Sequence, residues 1–360
     1  MRPRLAQTDL DACRHHLAGG SRSFHLASRL LPRTVAESAT VFYAFCRVAD
    51  DAIDDAAGAA GAAGAAGALG ELQARLASLY AGEPWNRPED RALAAVVRDH
   101  RVPRALLEAL LEGFQWDAQG RRYASLGELE QYAARVAGSV GVVMALLMGE
   151  RDPTQLARAA ELGIAMQLTN ICRDVADDAA LGRLYLPADL LAADGLDIDA
   201  WLAEPVCTPA VGSAVAVLLQ RADELYARAA QGVRRLPGRC RPGIRAAGLL
   251  YQAIGQEVAA ADLDPFRGRA RVPTRRQLAL LLRSLLPVAD DPARWRCPPA
   301  AAIRFLVDAA VREGGNRAAA GPPRGRLAFV VGLFLRLHER AASADRSGNG
   351  PGRVGQSLGR

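Results

Sequence analysis

Between Val41 and Asp55 the chain reads VFYAFCRVADDAIDD, with Asp50 and Asp54 four residues apart and Asp51 and Asp55 repeating the spacing one residue on. On a helix each pair shares a face. Four carboxylates in so short an apolar stretch repel one another and are costly to bury without cations. A hard divalent ion such as Mg²⁺, which takes oxygen ligands and shares a substrate phosphate, offsets that repulsion. Tyr43, Arg47, Asp50 and Asp54 fall at i, i+4, i+7 and i+11, one helical stripe. Taken alone, the segment also fits a solvated acidic helix end.

A second segment, MQLTNICRDVADDAALGRLYLP from Met166 to Pro187, repeats the design. Gln167, Asn170, Asp174 and Asp178 fall at i, i+3, i+7 and i+11, while Leu168, Ile171 and Val175 occupy the other faces. Two amides and two carboxylates in a row have the ligand types for Mg²⁺, and Arg173 beside them is a bidentate donor suited to a diphosphate. Two such helices could face each other across one cavity, each presenting DxxxD; two unrelated surface faces is the weaker reading. No nucleophile competes, since none of the five histidines is paired with a Ser or Cys motif. The chain has no HExxH, no GxGxxG and no P-loop, so zinc hydrolysis, a bound dinucleotide and nucleotide hydrolysis lack a basis.

The elements that must position these stripes are helical. In a chain of 360 residues, half apolar and only 5% aromatic, the bias is towards Ala, Leu and Arg, residues that lose little freedom in a helix. From Asp9 to about Val288 helices follow one another with Pro or Gly punctuation, and no alternation of period two persists. Ser125-Leu-Gly-Glu128 is a capping box, and Pro103 and Pro153 suit first turns. The AAG repeat within Ala56 to Gly70 has frequent glycines and no large side chain to bury, and is expected to be a flexible loop. Residues 1–290 are thus predicted as one helical domain, 291–342 as a helical extension with helices at 300–312 and 327–341, and 343–360 as a disordered tail.

All 45 basic residues are Arg, against 39 acidic ones, for a net charge of +6. Lysine chemistry is excluded, and the interleaving of the two signs argues against a nucleic-acid tract. The six cysteines form no CxxC pair and read as reduced thiols in a cytosolic protein. No secretion signal or spanning segment is recognisable, so the expected location is cytoplasmic, with any membrane contact peripheral and on the inner face.

These segments, with SRSFHLASRLLP (Ser21 to Pro32), YAARVAGSVG (Tyr132 to Gly141), LYQAIG (Leu250 to Gly255) and RARVPTRRQL (Arg269 to Leu278), resemble the squalene and phytoene synthases, and among them the bacterial phytoene synthases most. The resemblance implies an all-α isoprenoid synthase fold, a single helical bundle around a central cavity, with Mg²⁺ or alternatively Mn²⁺ bridging the two Asp motifs to prenyl diphosphates. It carries Asp50, Asp54, Asn170, Asp174 and Asp178 onto metal positions, and Ser21, Ser23, Arg47, Gln167, Arg173, Tyr251 and Arg269 onto positions that contact diphosphate. Phe24, Tyr43, Tyr132, Val136, Val140 and Tyr185 match cavity positions near the prenyl chains. Gly20 departs from the pattern, since many members carry His there. The implied reaction joins two geranylgeranyl diphosphates head to head, through prephytoene diphosphate, to phytoene, without NADPH. The alternatives are a C15-using relative making squalene, hydroxysqualene or dehydrosqualene, a head-to-tail elongase, and a non-catalytic scaffold of the same fold.

Overall fold

The computed structural model describes residues 5–18 and 30–314, and among them there are helices and no strand. Three helices matter most to the site. Helix α2 (Arg33–Ala81) follows α1 (Gln7–Ala18) and carries the first acidic stripe. After α3 (Pro88–His100), α4 (Arg104–Ala118), α5 (Leu126–Ala133), a π-helical turn (Ala134–Gly138) and α6 (Ser139–Leu147), helix α7 (Pro153–Ala180) carries the second. Two short helices, α8 (Ala188–Ala193) and α9 (Ile198–Ala203), lead to α10 (Pro209–Arg235) and α11 (Arg241–Ala260), which pack on α7.

Local chemistry sets the starts. Asp152 accepts from the Gln155 amide at 2.8 Å with Pro153 at the first position of α7, where its missing N–H costs nothing. At α5 the Ser125 hydroxyl accepts from the Glu128 amide at 3.4 Å while the Glu128 carboxylate accepts from the Ala124 amide at 3.0 Å. The reciprocal cap forms, but its return bond lands one residue earlier than in the usual box.

Helix α7 is the axis of the core, with Ile164, Ala165, Leu168 and Cys172 essentially inaccessible. It can lie against α6 and the π turn because glycines remove the side chains in between. A Cβ on Gly163 would stand 2.1 Å from the Ala137 carbonyl oxygen, and one on Gly141 would stand 2.2 Å from that of Ala159. Neither backbone could yield without opening the helix pair.

One expectation about organisation is corrected. The Ala/Gly stretch 56–70 is not a loop. It continues α2, interrupted only at Ala60 (φ −138°, ψ 17°) and Gly61 (φ 61°, ψ −148°). Alanine is the best helix former, and the glycines are outweighed because Ala65, Leu69, Leu72 and Leu76 are buried against the core. The described segment after residue 290 packs on the helical body as its extension. After α12 (Thr274–Ser284), helix α13 (Pro292–Arg296) and a 3₁₀ turn (Ala301–Ile303) lead to α14 (Arg304–Gly314). Ile303 and Leu306 are fully buried.

Ions seal that attachment. Glu161 of α7, with no exposed side-chain surface, pairs with Arg158 and Arg228 and accepts from the Ala300 amide at 3.1 Å. Arg158 donates to the Trp295 carbonyl at 3.0 Å and to that of Cys297, and Arg228 donates to that of Pro298. The expected helix at 327–341 and tail at 343–360 lie outside the described residues. The six cysteines are free thiols. Among the described residues no helix is long and apolar enough to cross a membrane.

Candidate active site

Along α7 the side chains that face inward change character in order. Gln155 and Arg158 come first, then Ala159, Leu162, Gly163 and Met166, then Gln167 and Asn170, and all of them line one cavity of about 300 Å³. One turn beyond Asn170 stands Asp174, and one turn beyond that Asp178. Opposite, α2 contributes Ala39, Phe42, Tyr43 and Cys46 to the same cavity, with Arg47, Asp50 and Asp54 on the turns above. Val136 and Val140, on and just after the π turn, and Tyr251 of α11 complete the wall. A single-turn π bulge re-aims side chains within a helix, and here it accompanies the two valines.

Above the cavity the acidic groups of both stripes are electrostatically joined. Arg183, just after α7, donates to Asp54 of α2 at 3.0 Å. Arg47 reaches Asp51 at 2.7 Å and stands 3.6 Å from Asp50. Arg173 holds Asp174 through a bidentate pair, one bond at 2.7 Å, and Arg269 approaches the same carboxylate at 3.0 Å. Burial, then the neighbouring Asp54, pushes the Asp50 carboxyl up to about 6. Burial and Asp174 push Asp178 up to about 7. In both, burial and the neighbouring carboxylate outweigh the arginine charges close by.

An oxygen-ligated divalent ion fits this arrangement. Asn170 Oδ1 is buried at the top of the cavity with no hydrogen-bond partner, and it stands one turn below Asp174 in the stripe whose carboxylates repel one another. Among the described residues no three acidic, His or Cys side chains are gathered tightly enough to hold a metal by themselves. Mg²⁺ does not require it, since it keeps waters and takes substrate phosphate oxygens in place of a full protein cage.

Tyr132 and Tyr185 do not line the cavity. Both donate to one carboxylate, Asp117 on α4, at 2.9 and 2.7 Å, and their rings stack at 5.3 Å, with Tyr123 5.2 Å from Tyr132. Despite two donors, burial pushes Asp117 up to about 6. Ser21, Ser23 and Phe24 lie outside the described residues. Asp117 and Arg183 went unread in the sequence. Asp117 is a lone acid in QWDAQG with no spacing to betray it, whereas Arg183 stands inside the second motif, where its position after two acidic turns was a usable signal.

Comparison with known proteins decides the family. A family model for squalene/phytoene synthase matches residues 17–276. The chain belongs to that family. A phytoene synthase of Rhodobacter capsulatus is 44% identical over 349 residues, covering 95% of this chain and all of that one. One from Cereibacter sphaeroides is 45% identical over 356 residues, covering 96% and 98%. Among solved structures, a dehydrosqualene synthase in complex with ligand superposes with a TM-score of 0.70 at 31% identity, covering 77% of this chain and 95% of that one. The squalene synthase HpnC from Alicyclobacillus acidocaldarius gives 0.66 at 25%, covering 72% and 96%. The bundle is thus an all-α isoprenoid synthase fold, as the resemblance implied.

Proposed function

We propose that this squalene/phytoene synthase family member joins two geranylgeranyl diphosphates head to head, through a cyclopropyl intermediate, to give phytoene and free diphosphate. The chain is an enzyme of the prenyltransferase type. The observation that carries the substrate choice is the 44–45% identity, over 95–96% of this chain, to the phytoene synthases of Rhodobacter capsulatus and Cereibacter sphaeroides. The apolar cavity between α2 and α7 is where the prenyl chains would lie.

The chemistry follows from the arrangement. An allylic diphosphate ionises once its leaving group is neutralised, so cations belong at one end of the site and an apolar, dry wall at the other. Arg47, Arg173 and Arg269 stand where the two acidic stripes meet and would pair with diphosphate oxygens in place of the carboxylates they now hold. Asp50, Asp54, Asn170, Asp174 and Asp178 would hold Mg²⁺, which supplies Lewis-acid neutralisation of the leaving group. Below them Val136, Val140, Leu162 and Met166 exclude water from the cation, and the Tyr43 ring faces the same space. No protein nucleophile is needed, nor is NADPH, because the second ionisation ends in proton loss rather than hydride addition. Peripheral contact with a membrane would suit a hydrocarbon product and is tested by flotation with phospholipid vesicles.

The deciding experiment is product analysis with the C20 and C15 diphosphates, with Mg²⁺ or EDTA, and with or without NADPH. A C40 hydrocarbon formed only from the C20 substrate and Mg²⁺, indifferent to NADPH, supports the proposal. A C30 product moves the chain to the squalene branch, and no product from either favours a non-catalytic scaffold.

A further inference from the structure

The wall of the cavity is apolar in its middle and polar at both ends, and only one polar end adjoins the acidic stripes. At the other, Gln155 and Arg158 are both buried, with 4% and 1% of their surface exposed, and both line the cavity. Gln155 is held by its amide, which donates to the Gly232 carbonyl of α10 at 2.9 Å. Arg158 is held by Glu161 and by the carbonyls of Trp295 and Cys297. Each nevertheless keeps one buried atom without a partner, Gln155 Oε1, an acceptor, and Arg158 Nε, a donor. Gly232 belongs to the same construction, because a Cβ there would lie 2.6 Å from Arg158 Cβ.

We propose that Gln155, braced by Gly232 and Arg158, is the floor that sets the longest prenyl chain the enzyme accepts. Gln155 and Arg158 are fixed by their bonds to α10 and to the segment around α13, so they form a rigid end to the cavity that a longer prenyl chain would have to displace. The floor therefore works by bulk. It differs from the diphosphate end of the site, where no residue measures chain length.

This inference rests on the prenyl-diphosphate reading above. The test compares C15, C20 and C25 prenyl diphosphates as substrates of the full chain, by kcat/KM and by the length of the hydrocarbon produced. The same three are ranked by thermal stabilisation, which needs no turnover. Gln155→Ala is expected to raise the C25 to C20 ratio by about tenfold or more. Gln155→Asn, one methylene shorter with the amide retained, should move it the same way by less, and it serves if the alanine variant does not fold. Val140→Ala, which widens the cavity in its middle, should leave the ratio within about twofold of wild type. The floor is overturned if both Gln155 variants keep the wild-type length preference, or if Val140→Ala shifts it as far as Gln155→Ala does. A wild type that prefers C15 would refute the C20 assignment alone, because the floor is judged by the upward step from whatever length the wild type prefers.

Discussion

Replacing Asp178 by Asn should make the metal-free protein more stable at pH 8 while abolishing the reaction. The Asp178 carboxyl is raised from an ordinary 3.8 to about 7, first by burial and then by Asp174. Ionising a group so displaced costs about 4 kcal/mol as a ceiling. Partial solvation of the cluster reduces this to about 1–2 kcal/mol. The sign is set by linkage: the folded chain holds this proton more tightly than the unfolded one, so the penalty is absent below pH 3.8, grows between there and about 7, and is complete above. Asparagine carries no charge to penalise. With about 2.1 cal/mol/K of unfolding entropy per residue over roughly 300 ordered residues, the gain corresponds to about 2–3 °C in Tm at pH 8 and none near pH 4. The assay is thermal unfolding in EDTA across pH, repeated with Mg²⁺ and inorganic diphosphate. These ligands should stabilise the wild type and leave the variant nearly unmoved. An Asn variant no more stable than wild type at pH 8, or one stabilised equally by Mg²⁺ and diphosphate, would refute the account of the cluster.

Asp50→Asn and Asp174→Asn should each lower turnover by at least about a hundredfold with the circular dichroism of the helices unchanged, and full activity in either variant would sink the metal assignment. Arg183 lowers the carboxyl pKa of Asp50, Asp117 and Asp178 together, so Arg183→Gln should cost stability at pH 8 and not at pH 4, read by urea titration at the two values. Gly61 sits at φ 61° and ψ −148°, a region almost closed to side chains, and Gly61→Ala should destabilise by about 1–3 kcal/mol. Gly58→Ala, in the helix just before it with open space around the position, should stabilise by about 0.5–1 kcal/mol, and equal effects of the two in denaturant would show that the break in α2 is not a glycine requirement.

The two stripes were legible because a spacing of three and four residues survives any tertiary arrangement. Gln167, Asn170, Asp174 and Asp178 share a face as soon as α7 is a helix. What α7 packs against is a different kind of information, and the sequence around Asp117 holds none of it. That carboxylate acquires its role only when α4 brings it to hydroxyls 15 and 68 residues away. Tyr132 and Tyr185 illustrate the limit from the other side, since their resemblance to cavity positions says nothing of the carboxylate that turns their hydroxyls aside. The Ala/Gly stretch misled because local composition was weighed without the leucines that follow it. Leu69, Leu72 and Leu76 bury one face and hold the preceding turns helical. The polar lining at the far end of the cavity was invisible for a similar reason, as neither Gln155 nor Arg158 belongs to any motif.

The ion cluster at Glu161 places the edge of the folding unit somewhere other than the edge of family likeness. The family match ends at residue 276, yet the partners of Arg158, Arg228 and Glu161 include backbone atoms of Trp295, Cys297, Pro298 and Ala300. A fragment trimmed to the match would open this dry knot of charge to solvent, and Arg158 is also a wall of the reaction chamber. The last described turns are therefore in the same cooperative block as the chamber they close, so they should melt with it in one transition, and a protease that cuts near residue 290 should inactivate the enzyme without touching an acidic motif.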